Sequence, residues 1–282
     1  MMRLPGWMPG VVLLAIFGSH PAWGQELRFL DVKQGGDFLA TPDEYTRRMS
    51  DFDLRVMIRT TQKKSMQDYL ALARSAVLPW TGEERRRINA AYDSIRPELK
   101  ELSLPLPKEV LLIKTSGAEE WDAAYTRGAA IILPVADLSA DDRGLRRLVA
   151  HELFHVLARA YPRMTDRIYP AIGFQSCGAL VLPPEVAARV LNNPDTPRND
   201  HCIELTSATG RVTGMPALLS PDGRFDPDMK GGIGAVLSRM QTGLMVLTPG
   251  PGRTMRPVLV NGTPRILPWK DLPDLPEKIG RN

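Results

Sequence analysis

The sequence contains little cysteine and little histidine, with 2 Cys and 4 His among 282 residues. Structural zinc sites use closely spaced cysteine pairs, and Cys177 and Cys202 are not spaced in that way. The spacing therefore does not indicate a metal site built from cysteine. A site built from histidine has few residues to draw on.

The sequence also lacks any large block of one charge. Its 36 Lys and Arg are interspersed with 32 Asp and Glu, which leaves a formal net charge of +4. Nucleic acid is therefore not an indicated partner. We interpret the run Arg85-Arg86-Arg87 as the solvated face of a helix in preference to a binding patch.

Long hydrophobic runs are missing as well. The apolar stretch of residues 11–17 follows Arg3 and precedes a small-x-small site at residues 22–24. This pattern predicts a secretory signal peptide, residues 1–24, cleaved before Gln25. A membrane anchor is the alternative, but it needs about 20 apolar residues. We expect a soluble exported protein, periplasmic or extracellular, with no stable membrane insertion.

Export places both cysteines in an oxidising compartment. We therefore expect a disulfide between Cys177 and Cys202. Two buried free thiols are the alternative.

The length and composition allow a substantial core, since 43% of the 282 residues are hydrophobic. One domain covering residues 25–282 fits this length, and so do two lobes, 25–161 and 162–282, around a cleft. A chain of this size can fold without cross-links from disulfides or metal ions.

After a polar, turn-rich lead, the pattern predicts two helices before any strand. The first covers residues 66–78. The second begins at 83 with acidic residues in its first turn and runs to Pro97 or slightly beyond. Compact aliphatic runs then predict strands at 110–114 and 125–133.

A capping signature at Ser139 and Asp142 predicts a long helix through Ala160. A short helix is expected at 185–191, and short aliphatic runs from Ile203 onward predict an irregular, strand-rich part. The predicted fold class is α+β, with N-terminal helices and a small sheet packed on the long helix.

The long helix contains the motif His151-Glu152-x-x-His155. Histidines four residues apart project from one face of a helix and can bind one metal ion. Glu152 lies beside that face, where it can act as general base on a zinc-activated water. Two ordinary histidines are the alternative, but so few histidines rarely produce this spacing by chance.

An apolar stripe on the same helix would hold it in the core and give a metal site rigid support. The stripe consists of Leu145, Leu148, Val149, Val156 and Leu157.

Catalytic zinc normally has three protein ligands. Ala158 and Tyr161 stand where a metzincin extension needs Gly and His, so that subclass is excluded. Glu185 is a candidate third ligand on a predicted helix, although acidic residues are common in a first helical turn for dipole reasons. The remaining candidates are His201, Asp195, Asp200 and Glu204.

The chain resembles a family of exported bacterial proteins identified as zinc metallopeptidases of the glutamate-zincin kind. The matching residues are 125–128, 151–155, 172–174, 182–184 and 193–195. The resemblance implies a zincin-like fold, bound zinc and peptidase activity. Only the His-Glu-x-x-His core is mechanistically specific.

In that family, a segment like residues 277–282 leads into a tail whose glutamate looks like the third zinc ligand. This sequence ends at Asn282. The resemblance therefore implies that the chain is either shortened relative to the family or has replaced that ligand.

Three functions follow as hypotheses. The first is a metallopeptidase with His151 and His155 on zinc, Glu152 as general base, and a peptide or protein substrate along the strand near Ile131 and Ile132. The second is a zincin-fold binding or scaffold protein that has lost its site. The third is a zinc amidase acting on a non-peptide amide.

Overall fold

The structure, a computed structural model, describes residues 26–104 and 107–274. The predicted signal peptide and residues 277–282 lie outside the described residues. The chain has an α+β fold, as its sequence predicts.

The described residues form helices α1 (Val32–Leu39), α2 (Asp51–Ile58), α3 (Met66–Ser75), α4 (Gly82–Glu101), α5 (Asp142–Ala160), α6 (Pro162–Ile168), α7 (Pro184–Ala187) and α8 (Gly232–Ser238). The strands are β1 (Glu26–Phe29), β2 (Val77–Leu78), β3 (Glu109–Thr115), β4 (Tyr125–Arg127), β5 (Ala130–Pro134), β6 (Phe174–Ser176), β7 (Ala179–Leu180), β8 (His201–Ser207), β9 (Gly210–Leu219), β10 (Gln241–Pro249), β11 (Thr254–Pro257), β12 (Leu259–Val260), β13 (Thr263–Pro264) and β14 (Ile266–Leu267).

The first sheet has the order β1-β3-β5-β4, and β2 also pairs with β3. Strands β1, β3 and β5 are parallel, whereas β4 runs antiparallel to β5 at the edge. All five residues of β5 are buried because helices cover both faces of the sheet. Helices α1 to α3 pack on one face, and α4 with α5 packs on the other.

The region before residue 66 differs from the prediction. The turn-rich lead contains β1, α1 and α2, so a strand precedes the helices. Gly35 lies inside α1 and is buried, with Val77 and Ile113 against its Cα. Gly35 belongs to the lead that the sequence predicts to be rich in turns, and instead it allows α1 to pack closely on the sheet.

The two predicted helices before β3 are present. Helix α4 begins after Thr81, which forms a capping box with Glu84, and it continues through Pro97 as expected. Helix α3 ends at Ser75 and not at residue 78. The reason is tertiary, since Val77 and Leu78 pair with β3.

Two further boundaries were predicted wrongly. Residues 125–133 form a hairpin of β4 and β5 instead of one strand, because Gly128 turns the chain with a φ of 56°. The N-cap of α5 is Asp141, which accepts a hydrogen bond from the Gly144 N–H at 2.7 Å, and not Ser139. The end of α5 at Ala160 is confirmed.

The second part is strand-rich, as predicted, with the sheet order β6-β8-β9-β10-β11-β7. Helix α7 ends at Ala187 instead of 191, because Val190 bridges to Leu219 of β9. The predicted disulfide between Cys177 and Cys202 is present and joins β8 to the connection between β6 and β7.

The second part also packs against the first. Leu191, Phe225, Val236 and Met240 belong to the hydrophobic cluster that α1 to α3 form with the first sheet. Within the described ranges, no helix is long and apolar enough to cross a bilayer.

Candidate metal centre

Helix α5 is held by its apolar stripe. Leu145, Val149, Val156 and Leu157 are buried against α4 and the first sheet, and Leu148 is partly buried there. The motif therefore lies on a helix whose rotation is set by packing, which limits the directions in which its polar side chains point.

The two histidines of the motif converge. The Nε2 atoms of His151 and His155 lie 3.0 Å apart. Zinc binds imidazole nitrogen at about 2.0–2.1 Å, so both atoms can reach one ion. The same distance also allows a hydrogen bond between neutral imidazoles. His151 is exposed, and burial lowers the pKa of His155, which favours the neutral form that binds metal.

Glu152 follows directly and is buried, with 2% of its surface exposed. Its Oε2 atom has no hydrogen-bond partner in the described part of the protein. Burial, together with the negative charges of Asp195 and Asp137, raises the pKa of Glu152 to about 8. The charge of Arg159 lowers this pKa only in part, and a cation bound nearby would further favour the ionised form of Glu152.

Two histidines and a buried carboxyl group fit part of a catalytic zinc site. Across residues 26–104 and 107–274, no group of three or more His, Cys, Asp or Glu side chains is arranged to hold a metal ion. Glu185, the candidate third ligand, is exposed on α7 and belongs to no such group. The described residues thus bring together two of the three protein ligands that a catalytic zinc site would require.

The other candidate ligands have different partners. Both ring nitrogens of His201 are engaged, Nδ1 with Asp200 at 2.7 Å and Nε2 with Asp166 at 3.2 Å. Glu204 pairs with Arg211 on the surface. These contacts leave neither residue directed at the motif.

Asp195 is the candidate ligand whose charge acts on the residues of the motif. Its charge acts to raise the pKa of both Glu152 and His155. Its Oδ1 atom accepts hydrogen bonds from the N–H of Thr126 at 2.9 Å and from the hydroxyl of Thr126 at 2.8 Å. The sequence does not distinguish Asp195 from its neighbours, since this position depends on pairing with a strand 69 residues away.

Sequence reasoning missed Arg159. It lies on α5 four residues after His155, so that positions 151, 155 and 159 share one face of the helix. Its guanidinium donates to the Thr126 hydroxyl at 2.9 Å and to the carbonyl of Pro194 at 2.8 Å. The repeated spacing of four was the available signal.

The expected substrate strand was also wrong. Ile131 and Ile132 lie in β5, which is buried between β3 and β4 and has no free edge. On this side of the sheet the edge strand is β4, and the backbone N–H of its Thr126 donates to Asp195.

A cavity of about 480 Å³ adjoins the motif, and we call it the α5 cavity. Phe154, Ala158 and Arg159 of α5 contribute to its wall, with Asp195 and His201 from the segment before β8 and its first residue. Its size is typical of small-molecule sites. Neither histidine of the motif lines it.

Comparisons with known proteins leave the site to be interpreted from its geometry, since no family model, curated protein or solved structure matches the chain.

Proposed function

We propose that this protein is an exported zinc-dependent hydrolase of the zincin kind that cleaves peptide bonds. His151 and His155 would hold zinc, and Glu152 would act as general base. The observation that carries the proposal is the 3.0 Å approach of the two Nε2 atoms beside a buried carboxyl group without a hydrogen-bond partner.

When bound, zinc would polarise the substrate carbonyl and make a water nucleophilic at neutral pH. Glu152 is placed one residue from His151 on a helix fixed by core packing, so its carboxylate can take a proton from that water. The cation would also offset the burial that raises the pKa of Glu152 to about 8.

The zincin assignment is supported by the layer order of the first part. A mixed sheet with an antiparallel edge strand, β4, packs on the helix that carries the motif. A peptide substrate would lie along β4. Pairing at Thr126 would compete with Asp195, which already accepts the backbone N–H.

Export is part of the proposal. The disulfide between Cys177 and Cys202 is consistent with an oxidising compartment. N-terminal sequencing of the protein recovered from the periplasm or the medium should begin near Gln25. Recovery of an intact N-terminus from the cytoplasm would contradict export.

The decisive experiment measures bound zinc and hydrolysis separately. We expect about one zinc per chain at micromolar free zinc, with loss in His151→Ala and in His155→Ala. His201→Ala is the matched control, since its imidazole is paired with Asp166 and Asp200. Glu152→Gln should retain zinc and lose hydrolysis of a peptide library.

A second function is favoured by the ligand count. Because the described residues supply two ligands, a zincin-fold binding protein without catalysis is the alternative. Absence of bound zinc in the wild-type protein at micromolar free zinc would favour this alternative and refute the hydrolase.

A further inference from the structure

The α5 cavity has a large apolar component. Phe154, Tyr169, Phe174 and Met215 line it. The rings of Phe154 and Tyr169 lie 6.2 Å apart between their centroids, and Phe154 also contacts the ring of His155. An aromatic or large aliphatic group would be buried favourably in this cavity, beside Phe154, the residue that precedes His155.

The carboxylates in the cavity wall are already hydrogen-bonded. Asp166 and Asp200 lie within hydrogen-bonding distance of the two ring nitrogens of His201, at 3.2 and 2.7 Å. Asp195 accepts from Thr126. Each of these three carboxylates thus has a partner within the protein, and the charge of Asp195 also acts on Arg159.

Arg159 differs from these groups. Its three hydrogen bonds go to neutral oxygens, those of Thr126, Gly128 and Pro194. Among the ion pairs of the described residues, none includes Arg159. A guanidinium has five N–H donors, so at least two of them lack an acceptor within the described residues.

We propose that the α5 cavity binds the C-terminal residue of a peptide, with Arg159 pairing the free carboxylate and the apolar wall holding the side chain. A guanidinium and a carboxylate form strong charge-assisted hydrogen bonds, and the half-buried position of Arg159 limits screening by solvent. The ligand class is an apolar or aromatic residue with a free α-carboxylate.

The interpretation of this ligand as substrate rests on the proposed function. Arg159 follows His155 by one helical turn, so a bound C-terminal residue would place its peptide bond toward the histidines. The expected activity is removal of apolar C-terminal residues. Binding of the carboxylate by Arg159 does not depend on zinc or on catalysis.

The experiment uses two probes that differ only at the carboxyl group, N-acetyl-L-phenylalanine and its amide. Calorimetric titration of the full-length mature protein should show that the acid binds at least about tenfold more tightly than the amide. This comparison is made on the wild-type chain. Equal affinity for the two probes, or no binding of either at millimolar concentration, would overturn the proposal.

Variants then locate the site. Arg159→Met should bring the acid down to the affinity of the amide, whereas Arg163→Met, an exposed arginine on α6, should keep the full difference. Ala158→Trp should fill the cavity and weaken both probes. An acid preference that survives in folded Arg159→Met, or unchanged binding to Ala158→Trp, would refute the assignment.

The same titrations on zinc-free His151→Ala separate the two proposals. Retained preference for the acid, together with absence of zinc from the wild-type protein, would leave the cavity assignment standing and refute the hydrolase. Loss of the preference in Arg159→Met with normal zinc content supports both.

Discussion

Thr126 and Asp195 are joined by two hydrogen bonds although they are 69 residues apart in the chain. Both the backbone N–H and the hydroxyl of Thr126 donate to one carboxylate oxygen, at 2.9 and 2.8 Å. The contact ties the edge strand of the first sheet to the segment that precedes β8. It also occupies the donor that an added peptide strand would need.

Removal of that carboxylate should destabilise the protein. Asp195→Ala leaves two donors of the buried Thr126 without an acceptor, and we expect the free energy of unfolding to fall by about 1–3 kcal/mol. Urea denaturation measures the change. Asp228→Ala, an exposed aspartate in a loop, is the control and should change stability by less than about 0.5 kcal/mol. Equal effects of the two substitutions would contradict the contact.

The disulfide should contribute measurably to stability. It closes a loop with a sequence separation of 25, for which chain entropy predicts about 3.5 kcal/mol. The double variant Cys177→Ser, Cys202→Ser should therefore melt at a lower temperature than the wild type. Reductant should lower the melting temperature of the wild type alone. A variant that melts with the wild type would show that the bridge adds no stability.

The free energy of unfolding should decrease as the pH rises, because a buried carboxyl group has a raised pKa in the folded state. Glu120 accepts hydrogen bonds from Tyr45 and Tyr69, and burial raises its pKa from 4.5 to about 8. The folded state thus keeps a proton that the unfolded chain loses above its own pKa. The contribution is fully present below about pH 4.5 and is lost as the pH rises toward 8, by at most about 1.4 kcal/mol per pH unit.

Glu120→Gln should reduce this pH dependence, because the amide keeps an acceptor oxygen and does not ionise. The slope should not vanish, since the raised pKa values of Asp53 and Glu152 act in the same direction. Denaturation at pH 5 and pH 8 provides the measurement, with exposed Glu185→Gln as control. An identical slope in Glu120→Gln and wild type would reject the assignment.

Two glycines should respond oppositely to alanine. A Cβ at Gly35 would lie 3.0 Å from Val77 and 3.2 Å from Ile113, so Gly35→Ala should cost about 1–3 kcal/mol despite better helix propensity. Gly234 in α8 has nothing within 4 Å of that position, and Gly234→Ala should stabilise by about 0.4–1 kcal/mol. Thermal unfolding compares the two. Stabilisation by both would show that α1 packs less closely on the sheet.

Local patterns were the reliable part of the sequence. The acidic first turn of α4, the aliphatic run of β3 and the end of α5 at Ala160 all depend on neighbours within a few residues. Some of the boundaries that failed depend on distant pairing, whereas the N-cap of α5 and the turn at Gly128 are local features. Helix α3 stops early because Val77 pairs with β3. Gly35 lies within α1, where the absence of a side chain lets the helix pack closely on the sheet.

The candidate site divides in the same way. The sequence by itself determined that His151, Glu152 and His155 share a helix, because a spacing of four is a property of the backbone. With two cysteines in the chain, it also left one possible pairing for an intramolecular disulfide. Only the tertiary structure decided that β4 and not β5 is the edge, and that Arg159 meets Thr126. Those outcomes depend on which faces of distant elements become buried together, and no local spacing encodes that.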